Sequence, residues 1–208
     1  EWSTHIMNIF VLDSDPVVSA QMMCDKHIPK MIVESGQMLS TAHRMLDGKL
    51  TKKPSKSGKT MVKYWDLYEG SDDLEAELLY YKAVHTAHPC TVWSMQSSDN
   101  YRWHWEHMRA LCDEYTYRYS TKKEPYKMHK THRELLYAIE ALPRNIPKGG
   151  LTPFAQAMKQ YPECIVPGDA VKAYRNYYHA AKPFAKWEKG RAAPSWWKGY
   201  QGASLHTA

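Results

Sequence analysis

The 208-residue chain lacks the sequence patterns that mark several broad protein classes. It contains no run of about 20 apolar residues, so we expect no membrane span and no membrane partner. No apolar leader precedes a small-residue cleavage site, so we expect no secretory signal. The four cysteines have no framework spacing, which predicts reduced thiols in a cytoplasmic protein.

Motifs of common catalytic and metal sites are missing as well. There is no Cys-x-x-Cys and no His-Glu-x-x-His, and Pro89 interrupts the ligand-like series His85, His88 and Cys90. We therefore predict no metal and no cofactor. The absence of Gly-x-Ser-x-Gly argues against a hydrolase elbow. Residues 57–60, Ser-Gly-Lys-Thr, lack the first glycine of a phosphate-binding loop, which argues against nucleotide hydrolysis.

Phenylalanine is scarce, whereas tryptophan, tyrosine and positive charge are abundant. The chain has 3 Phe against 8 Trp and 15 Tyr, and its formal net charge is +6. Cations interleaved with aromatic rings suit a nucleic-acid ligand, because phosphates meet the cations and bases stack on the rings. A basic protein with a tyrosine-rich core would have the same composition, so composition alone leaves both interpretations open.

Apolar periodicity predicts an all-α fold in one compact domain over residues 7–208. We expect five or six helices and at most one short strand. Residues 7–12, near the N-terminus, are expected to be either that buried strand or an extended segment. Residues 1–6 precede a methionine and are expected to be a remnant of an expression tag. The helices are predicted at residues 16–27, 29–46, 72–84, 100–119, 131–141 and 169–182.

Two further segments are predicted to be irregular. Residues 51–60 hold four lysines and no apolar side chain other than Pro54, which predicts a flexible basic loop that contacts phosphates if the ligand is nucleic acid. Residues 143–167 are rich in proline and glycine, which predicts an excursion over the surface.

A polar stripe on the second predicted helix is the most informative feature of the chain. Residues 24–30 bring together a thiol, a carboxylate, two ammonium groups and an imidazole. Helical spacing then places His27, Lys30, Glu34 and Gln37 on one face. Such a stripe is either an ordinary surface or a functional site. We predict that His27, Glu34 and Lys30 are catalytic, because imidazole and carboxyl groups supply acid and base.

A second polar stripe lies on the helix predicted at 100–119. If the two stripes face one cleft, His107 joins the catalytic groups and Trp103 stacks on a base. The amides of Asn100 and Gln37 would then read a base edge. Arg118 either contacts DNA or pairs with Glu114 four residues earlier.

Three segments together resemble the phage-type pyrimidine-dimer DNA glycosylases, the endonuclease V family of small helical repair enzymes. Residues 21–30 are similar to that family's helix ending in Arg-Glu-Leu-Pro-Arg. Residues 100–118 are similar to its central amphipathic helix, and Pro-Ser-Trp-Trp-Lys-Gly-Tyr at 194–200 to its carboxy-terminal Pro-Thr-Trp-Tyr-Lys motif. The resemblance covers about half of the chain and is remote.

The resemblance implies a compact all-α protein that binds kinked double-stranded DNA and flips a nucleotide. Lys26 and Lys30 would take the place of phosphate-contacting arginines, and Trp196 would help to recognise the damaged site. The further DNA-binding residues predicted on the tail are Arg191, Trp197 and Lys198.

The family's catalytic pair is not retained. Asn8 follows Met7 where the family has the threonine whose amine attacks the sugar, and His27 stands where it has a glutamate. A glycosylase-like repair enzyme therefore remains one hypothesis among several. The others are a phage transferase that adds a small-molecule amine to an activated 5-methyl pyrimidine in DNA, a non-catalytic DNA-binding protein, and a small-molecule-binding or interaction domain.

Overall fold

The computed structural model describes residues 7–202, so the expected tag remnant at residues 1–6 lies outside the described residues. Within them, seven α-helices, one π-helix and one two-stranded sheet are formed. The α-helices are α1 (Pro16–Met22), α2 (His27–Asp47), α3 (Leu67–Ser71), α4 (Leu74–Leu79), α5 (Pro89–Gln96), α6 (Ser98–Tyr119) and α7 (Ala170–Ala181). The strands are β1 (Lys49–Pro54) and β2 (Met61–Asp66), the π-helix is His132–Leu136, and a 3₁₀ turn spans Pro162–Cys164.

Helices α2 and α6 form the centre of the domain and pack against each other. On α2 the apolar residues Met31, Ile32, Met38 and Leu39, which recur at helical spacing, are buried. The helix begins at His27, two residues before the predicted start, and Pro29 lies in its first turn. A proline is tolerated there because the first backbone N–H groups of a helix have no intrahelical acceptor, so the lack of an N–H in proline costs no hydrogen bond.

Helix α6 is buried on both faces, which the sequence pattern did not predict. Its apolar face, including Tyr101 and Met108, lies in the core. Its polar face is also covered, because α1 and the chain before it pack there. Polar side chains such as Asn100 and Arg118 therefore lie inside the protein, where they need internal partners.

The prediction of an all-α fold is wrong, because residues 49–66 form a β-hairpin. Strands β1 and β2 pair antiparallel, with Leu50 opposite Trp65 and Thr51 opposite Tyr64. The predicted basic loop at residues 51–60 is therefore partly strand β1 and partly the connecting turn, in which Gly58 has φ 72°. The β-forming signal lies in Val62, Tyr64 and Trp65 of the second strand, and the lysine-rich first strand carries almost none of it.

The buried side chain of Arg44 anchors this hairpin to the helical core. Its guanidinium donates to the Trp65 carbonyl at 2.8 Å and to Glu77 Oε1 at 2.7 Å. It also donates to the carbonyl oxygens of Tyr80 and Tyr81, at 3.0 and 2.7 Å. One side chain of α2 therefore fixes β2 and the segment after α4.

The N-terminal segment is buried and extended without forming a strand, which is the second of the two forms expected of residues 7–12. Phe10 has φ 53°, which interrupts an extended backbone. Asn8 holds this geometry, because its Oδ1 accepts from the backbone N–H of Ile9 at 2.8 Å and of Phe10 at 3.3 Å. Its Nδ2 donates to the Ala157 carbonyl at 2.9 Å.

Proline has opposite effects at two places in the chain. Pro89 is the first residue of α5, which His88 caps by accepting from the Cys90 N–H at 3.1 Å. Residues 143–167 contain no regular element except the 3₁₀ turn, and they cover the start of α6, where the Ser98 N–H donates to the Pro147 carbonyl at 2.9 Å.

Candidate active site

His27 lies at the start of α2 beneath the ring of Phe10. The two rings are stacked with centroids 4.4 Å apart, and Phe184 meets the imidazole edge-on at 5.3 Å. The unusual φ of Phe10 turns its side chain onto this position. Because α2 and the N-terminal segment are both buried here, the imidazole is only 3% exposed.

A tyrosine of α7 fixes the orientation of the imidazole. His27 Nδ1 and the Tyr178 hydroxyl are 2.7 Å apart. Burial raises the pKa of Tyr178 well above its ordinary value, so the hydroxyl keeps its proton. It can donate that proton to Nδ1, which then places the imidazole's own proton on Nε2.

His27 is neutral at physiological pH. Burial lowers its pKa well below the ordinary value, and the positive charges of Lys182, Lys30 and Lys26 lower it further. The imidazole therefore has one unprotonated ring nitrogen, and the surrounding ammonium groups make it a weak base.

Glu34 lies on α2 two turns beyond His27 and is 9% exposed. Its Oε2 has no hydrogen-bond partner among the described residues. Burial raises the pKa of this carboxyl to about 8, although the charges of Lys30 and Lys182 act in the opposite direction. Glu34 is therefore mostly protonated at neutral pH and is able to donate a proton.

Lys182 caps the C-terminus of α7. It belongs to this site, although the sequence-based prediction did not include it. It is 6% exposed, and no other described lysine is buried. Its ammonium lies 4.5 Å from the ring centroid of Tyr177 and 5.2 Å from that of Phe10. Burial, and then the nearby charge of Lys30, lowers its pKa to about 8.

We call His27, Lys30, Glu34 and Lys182 the central cluster. Phe10 joins its two ends, because the same ring contacts His27 and Lys182. The cluster combines a neutral base, a protonated carboxyl and an amine of lowered pKa, which is an arrangement common at active sites. Sequence reasoning found the three members on α2 by their helical spacing and missed Lys182, which lies 148 positions after Glu34.

Lys26 and Gln37 lie beside the central cluster on the same side of α2. Lys26 is exposed, and its ammonium is 4.7 Å from the ring centroid of Phe184. Gln37 is half-buried one turn beyond Glu34. The structure therefore keeps the predicted stripe together along α2, with its charged end at Lys26.

The stripe on α6 does not face the central cluster across a cleft, because each of its members bonds to another segment. Asn100 donates to the Trp93 carbonyl at 2.9 Å and to Thr152 Oγ1 at 2.7 Å. Trp103 Nε1 donates to the Ser14 carbonyl at 2.9 Å. These bonds hold the segment before α1 and the excursion after residue 143.

His107 lies on the same face of α6 and stacks on Trp103 at 5.2 Å. Its Nδ1 lies 3.0 Å from the Pro16 carbonyl, and its buried Nε2 has no partner among the described residues. Burial lowers the pKa of His107 to about 4. The structure thus places this predicted catalytic histidine at the start of α1, and its catalytic role stays a prediction.

Arg118, which is buried, and Arg191, which is half-buried, belong to a chain of charges that holds the turn before α2. Arg118 donates to Asp25 Oδ1 at 3.1 Å and to Glu114 Oε2 at 2.8 Å, and also to the Met23 carbonyl at 2.7 Å. Arg191 donates to both oxygens of Glu114, at 2.7 Å to Oε1 and 3.2 Å to Oε2. This chain positions residues 24–30 and ties the tail to α6.

The tail residues Trp196, Trp197 and Lys198 pack beside α7. Trp197 stacks on His179 with centroids 4.9 Å apart, and Trp196 Nε1 donates to Met22 Sδ at 3.5 Å. The backbone N–H of Lys198 donates to His179 Nε2 at 3.1 Å. Both tryptophans also lie about Tyr178, at 6.0 and 6.4 Å between centroids, so the tail supports the residue that orients His27.

A cavity of about 250 Å³ lies beside Tyr177, whose ring also contacts Lys182 of the central cluster. Tyr177 forms one side of the cavity, and Met7, His88, Gln156 and Lys159 form other parts of its wall. Its size suits a small ligand rather than a base with its sugar.

In the part of the chain that the structure describes, no group of three or more His, Cys, Asp or Glu side chains could hold a metal ion. The four cysteines are buried free thiols. Across residues 7–202, every helix is too short or too polar to cross a bilayer. Comparisons with protein-family models, curated proteins and solved structures found no match to this chain.

Proposed function

We propose that this protein is an enzyme that acts on bases of double-stranded DNA, by glycosylase-like repair or by base modification. The observation that carries the proposal is the central cluster. It holds a carboxyl whose pKa is raised to about 8 beside an amine whose pKa is lowered to about 8. Groups with such displaced pKa values concentrate where proton transfer is catalysed.

The distribution of lysine supports nucleic acid as the partner. Lys26 lies at the exposed end of the central cluster, where a phosphate would approach. The hairpin of β1 and β2 carries six more, at Lys49, Lys52, Lys53, Lys56, Lys59 and Lys63. A two-stranded ribbon with this charge suits a DNA groove. The three segments that resemble the pyrimidine-dimer glycosylases give the proposal its substrate class.

The residues of the central cluster would divide the work of removing or altering a base. Protonated Glu34 would act as general acid towards a departing base, and neutral His27 as general base. Lys30 would stabilise negative charge as it develops. The side chain of Asn8 is occupied in holding Phe10, so we assign it no acid or base function.

The cations in and beside the central cluster also favour a second candidate, the transferase that adds an amine to an activated 5-methyl pyrimidine. The ammonium groups of Lys26, Lys30 and Lys182 all act on His27. They would accept a leaving phosphate, while His27 would deprotonate the incoming amine. The two activities differ in their products, since a glycosylase releases a free base, whereas the transferase releases phosphate and leaves the amine bonded to the DNA.

The first test is binding of the full chain to duplex DNA with and without one abasic or modified pyrimidine site, at two salt concentrations. We expect site-preferring binding that weakens as salt rises. Lys26→Ala should reduce the slope of log Kd against log salt by about 0.9. Lys148→Ala is the matched control and should leave the slope unchanged. Residue 148 lies near the start of α6, whereas Lys26 lies near the other end of that helix.

The second test is turnover of the same DNA by variants of the central cluster. Glu34→Gln and His27→Ala should reduce product formation and leave DNA affinity within about twofold of the wild type. Turnover that survives in both variants would reject the assigned roles. Equal binding to every duplex without turnover would favour a non-catalytic DNA-binding protein. Absence of binding at either salt concentration would reject the nucleic-acid partner.

A further inference from the structure

The cavity beside Tyr177 has a wall that contains a positive charge and no negative one. Nine described residues form this wall, and none of the nine is an aspartate or a glutamate. Lys159 supplies the positive charge, and its ammonium forms no ion pair within the described residues. Both Lys159 and Gln160 are exposed, so the cavity can be entered from solvent on their side.

Tyr177 contributes a hydroxyl donor from the buried side of the cavity. The residue is 3% exposed, and its hydroxyl has no hydrogen-bond partner among the described residues. The hydroxyl groups of its neighbours on α7 are occupied, since that of Tyr174 donates to the Ala155 carbonyl at 2.7 Å and that of Tyr178 lies 2.7 Å from His27. Burial raises the pKa of Tyr177 to about 12, so its hydroxyl keeps its proton. A ligand oxygen in the cavity can accept that proton.

His88 offers a second donor to the cavity, because its other ring nitrogen is already used. Its Nδ1 accepts from the backbone N–H of Cys90 at 3.1 Å, which caps α5. The ring proton of the neutral imidazole therefore lies on Nε2. Burial lowers the pKa of His88, and the positive charges of His85 and Lys159 lower it further. The imidazole is thus neutral at pH 7 and donates one hydrogen bond.

The rest of the wall is mostly apolar. Met7 and Met158 line the cavity and are themselves buried. The side-chain amide of Gln156 is fully occupied, because it donates to the Val166 carbonyl at 2.6 Å and accepts from the Val166 N–H at 2.9 Å. The cavity therefore combines one full positive charge and two neutral donors with an apolar wall. This combination fits a ligand that has one negative charge and an apolar body.

We propose that the cavity beside Tyr177 binds a small carboxylate with an apolar body. The carboxylate oxygens would accept from Lys159, His88 and Tyr177, and the body would lie against Met7 and Met158. A carboxylate fits better than a phosphate monoester, which carries about 1.5 to 2 negative charges at neutral pH against the single charge of the wall. The volume of about 250 Å³ accommodates a molecule of the size of benzoate or hexanoate. Such a site is independent of any action on DNA.

The test is titration of the full chain with benzoate, followed by NMR of its methionine methyl groups. Benzoate should bind with a Kd on the order of 1 mM, as expected for so small a ligand. Benzamide and benzylamine, which are neutral and cationic molecules of similar shape, should bind at least about tenfold more weakly. Tyr177→Phe removes only the unpartnered hydroxyl and should weaken benzoate binding about fivefold, as should Lys159→Met. Lys148→Met, at an exposed position of the same irregular segment, should leave it unchanged.

The methyl signals of the wild-type chain also locate the ligand, whatever the stability of the variants. Those of Met7 and Met158 should shift as benzoate binds, whereas that of the exposed Met128 should not. Shifts at other methionines but not at these two would overturn the site. Equal affinity for benzoate, benzamide and benzylamine would overturn the preference for an anion, and tighter binding of inorganic phosphate would overturn the choice of a carboxylate. An unchanged spectrum with benzoate, phenylacetate and hexanoate, each at about 10 mM, would overturn the proposal entirely.

Discussion

The imidazole of His27 lies nearly parallel to the ring of Phe10, with centroids 4.4 Å apart and planes inclined by 21°. Phe10 makes this contact from a backbone φ of 53°, a conformation that side chains other than glycine rarely adopt. Non-glycine residues held in this region cluster at functional sites, because the surrounding structure must stabilise them. The contact thus connects a strained backbone directly to the candidate base.

Two replacements of Phe10 separate the contribution of its ring to stability from the cost of its positive φ. Phe10→Ala should lower the free energy of unfolding by about 3–5 kcal/mol, because it leaves a cavity against His27 and Tyr177. Phe10→Gly should be at least as stable as the alanine variant, since glycine adopts a positive φ without steric cost. Chemical denaturation measures both values.

The control is Ala20→Gly in the buried part of α1, where the backbone is helical. There glycine should be less stable than alanine by about 1 kcal/mol. If glycine is also the weaker residue at position 10, strain at Phe10 does not contribute to the stability of this protein.

The buried charge chain gives a second prediction, with a matched pair of arginines on α6. Arg118→Met should lower the free energy of unfolding by about 3–5 kcal/mol, because Asp25 and Glu114 keep buried charges without their partner. Arg109→Met removes two ion pairs at the surface, to Glu106 and Asp113, and should cost less than about 1 kcal/mol. Equal losses would show that burial of the chain is energetically unimportant.

Sequence reasoning recovered the long helices because their apolar positions repeat at helical spacing over five turns or more. Met31, Ile32, Met38 and Leu39 are buried as that pattern predicts. Sequence reasoning failed for the hairpin, because the lysine-rich strand β1 is stabilised by pairing with β2 and contains few residues of high β-propensity.

The candidate site was recovered only where its members share one helix. His27, Lys30 and Glu34 follow one another on α2, so their spacing alone brings them together. Lys182 and Tyr178 reach the site from α7, and that contact depends on how the helices pack. The stripe on α6 had the same polar pattern, yet it binds loops inside the protein, because a polar face packs as well as an apolar one when each group finds a partner.

Acid should destabilise the protein through its buried histidines, and His104 is the clearest case. It lies between Ser94 Oγ at 2.7 Å and Ser35 Oγ at 2.9 Å, and burial lowers its pKa to about 3. The unfolded chain binds a proton near pH 6.5, so the free energy of unfolding falls as the pH drops from 6.5 towards 3. The contribution is about 1.4 kcal/mol per pH unit.

His104→Gln should remove that contribution and flatten the measured dependence between pH 6 and pH 4. His85→Asn, at an exposed position with φ 48°, serves as the control and should leave the slope unchanged. Denaturant titrations at three pH values suffice. An unchanged slope in His104→Gln would mean that this histidine takes up a proton in the folded protein.

The pH dependence of stability that Glu34 contributes should be opposite in sign to that of the buried histidines. Its pKa is about 8 in the folded protein and about 4.5 when unfolded, so the folded state holds a proton that the unfolded state releases. The stabilisation is complete below pH 4.5 and is lost as the pH rises through 8, a change of about 5 kcal/mol. Glu34→Gln cannot titrate, so the difference between the wild-type and variant free energies of unfolding should grow steadily in favour of the variant from pH 5 to pH 8.

Glu124→Gln, on the exposed loop after α6, should give a constant difference over the same range. A constant difference for Glu34→Gln would mean that its carboxyl is ionised at neutral pH, which would remove the general acid from the proposed mechanism.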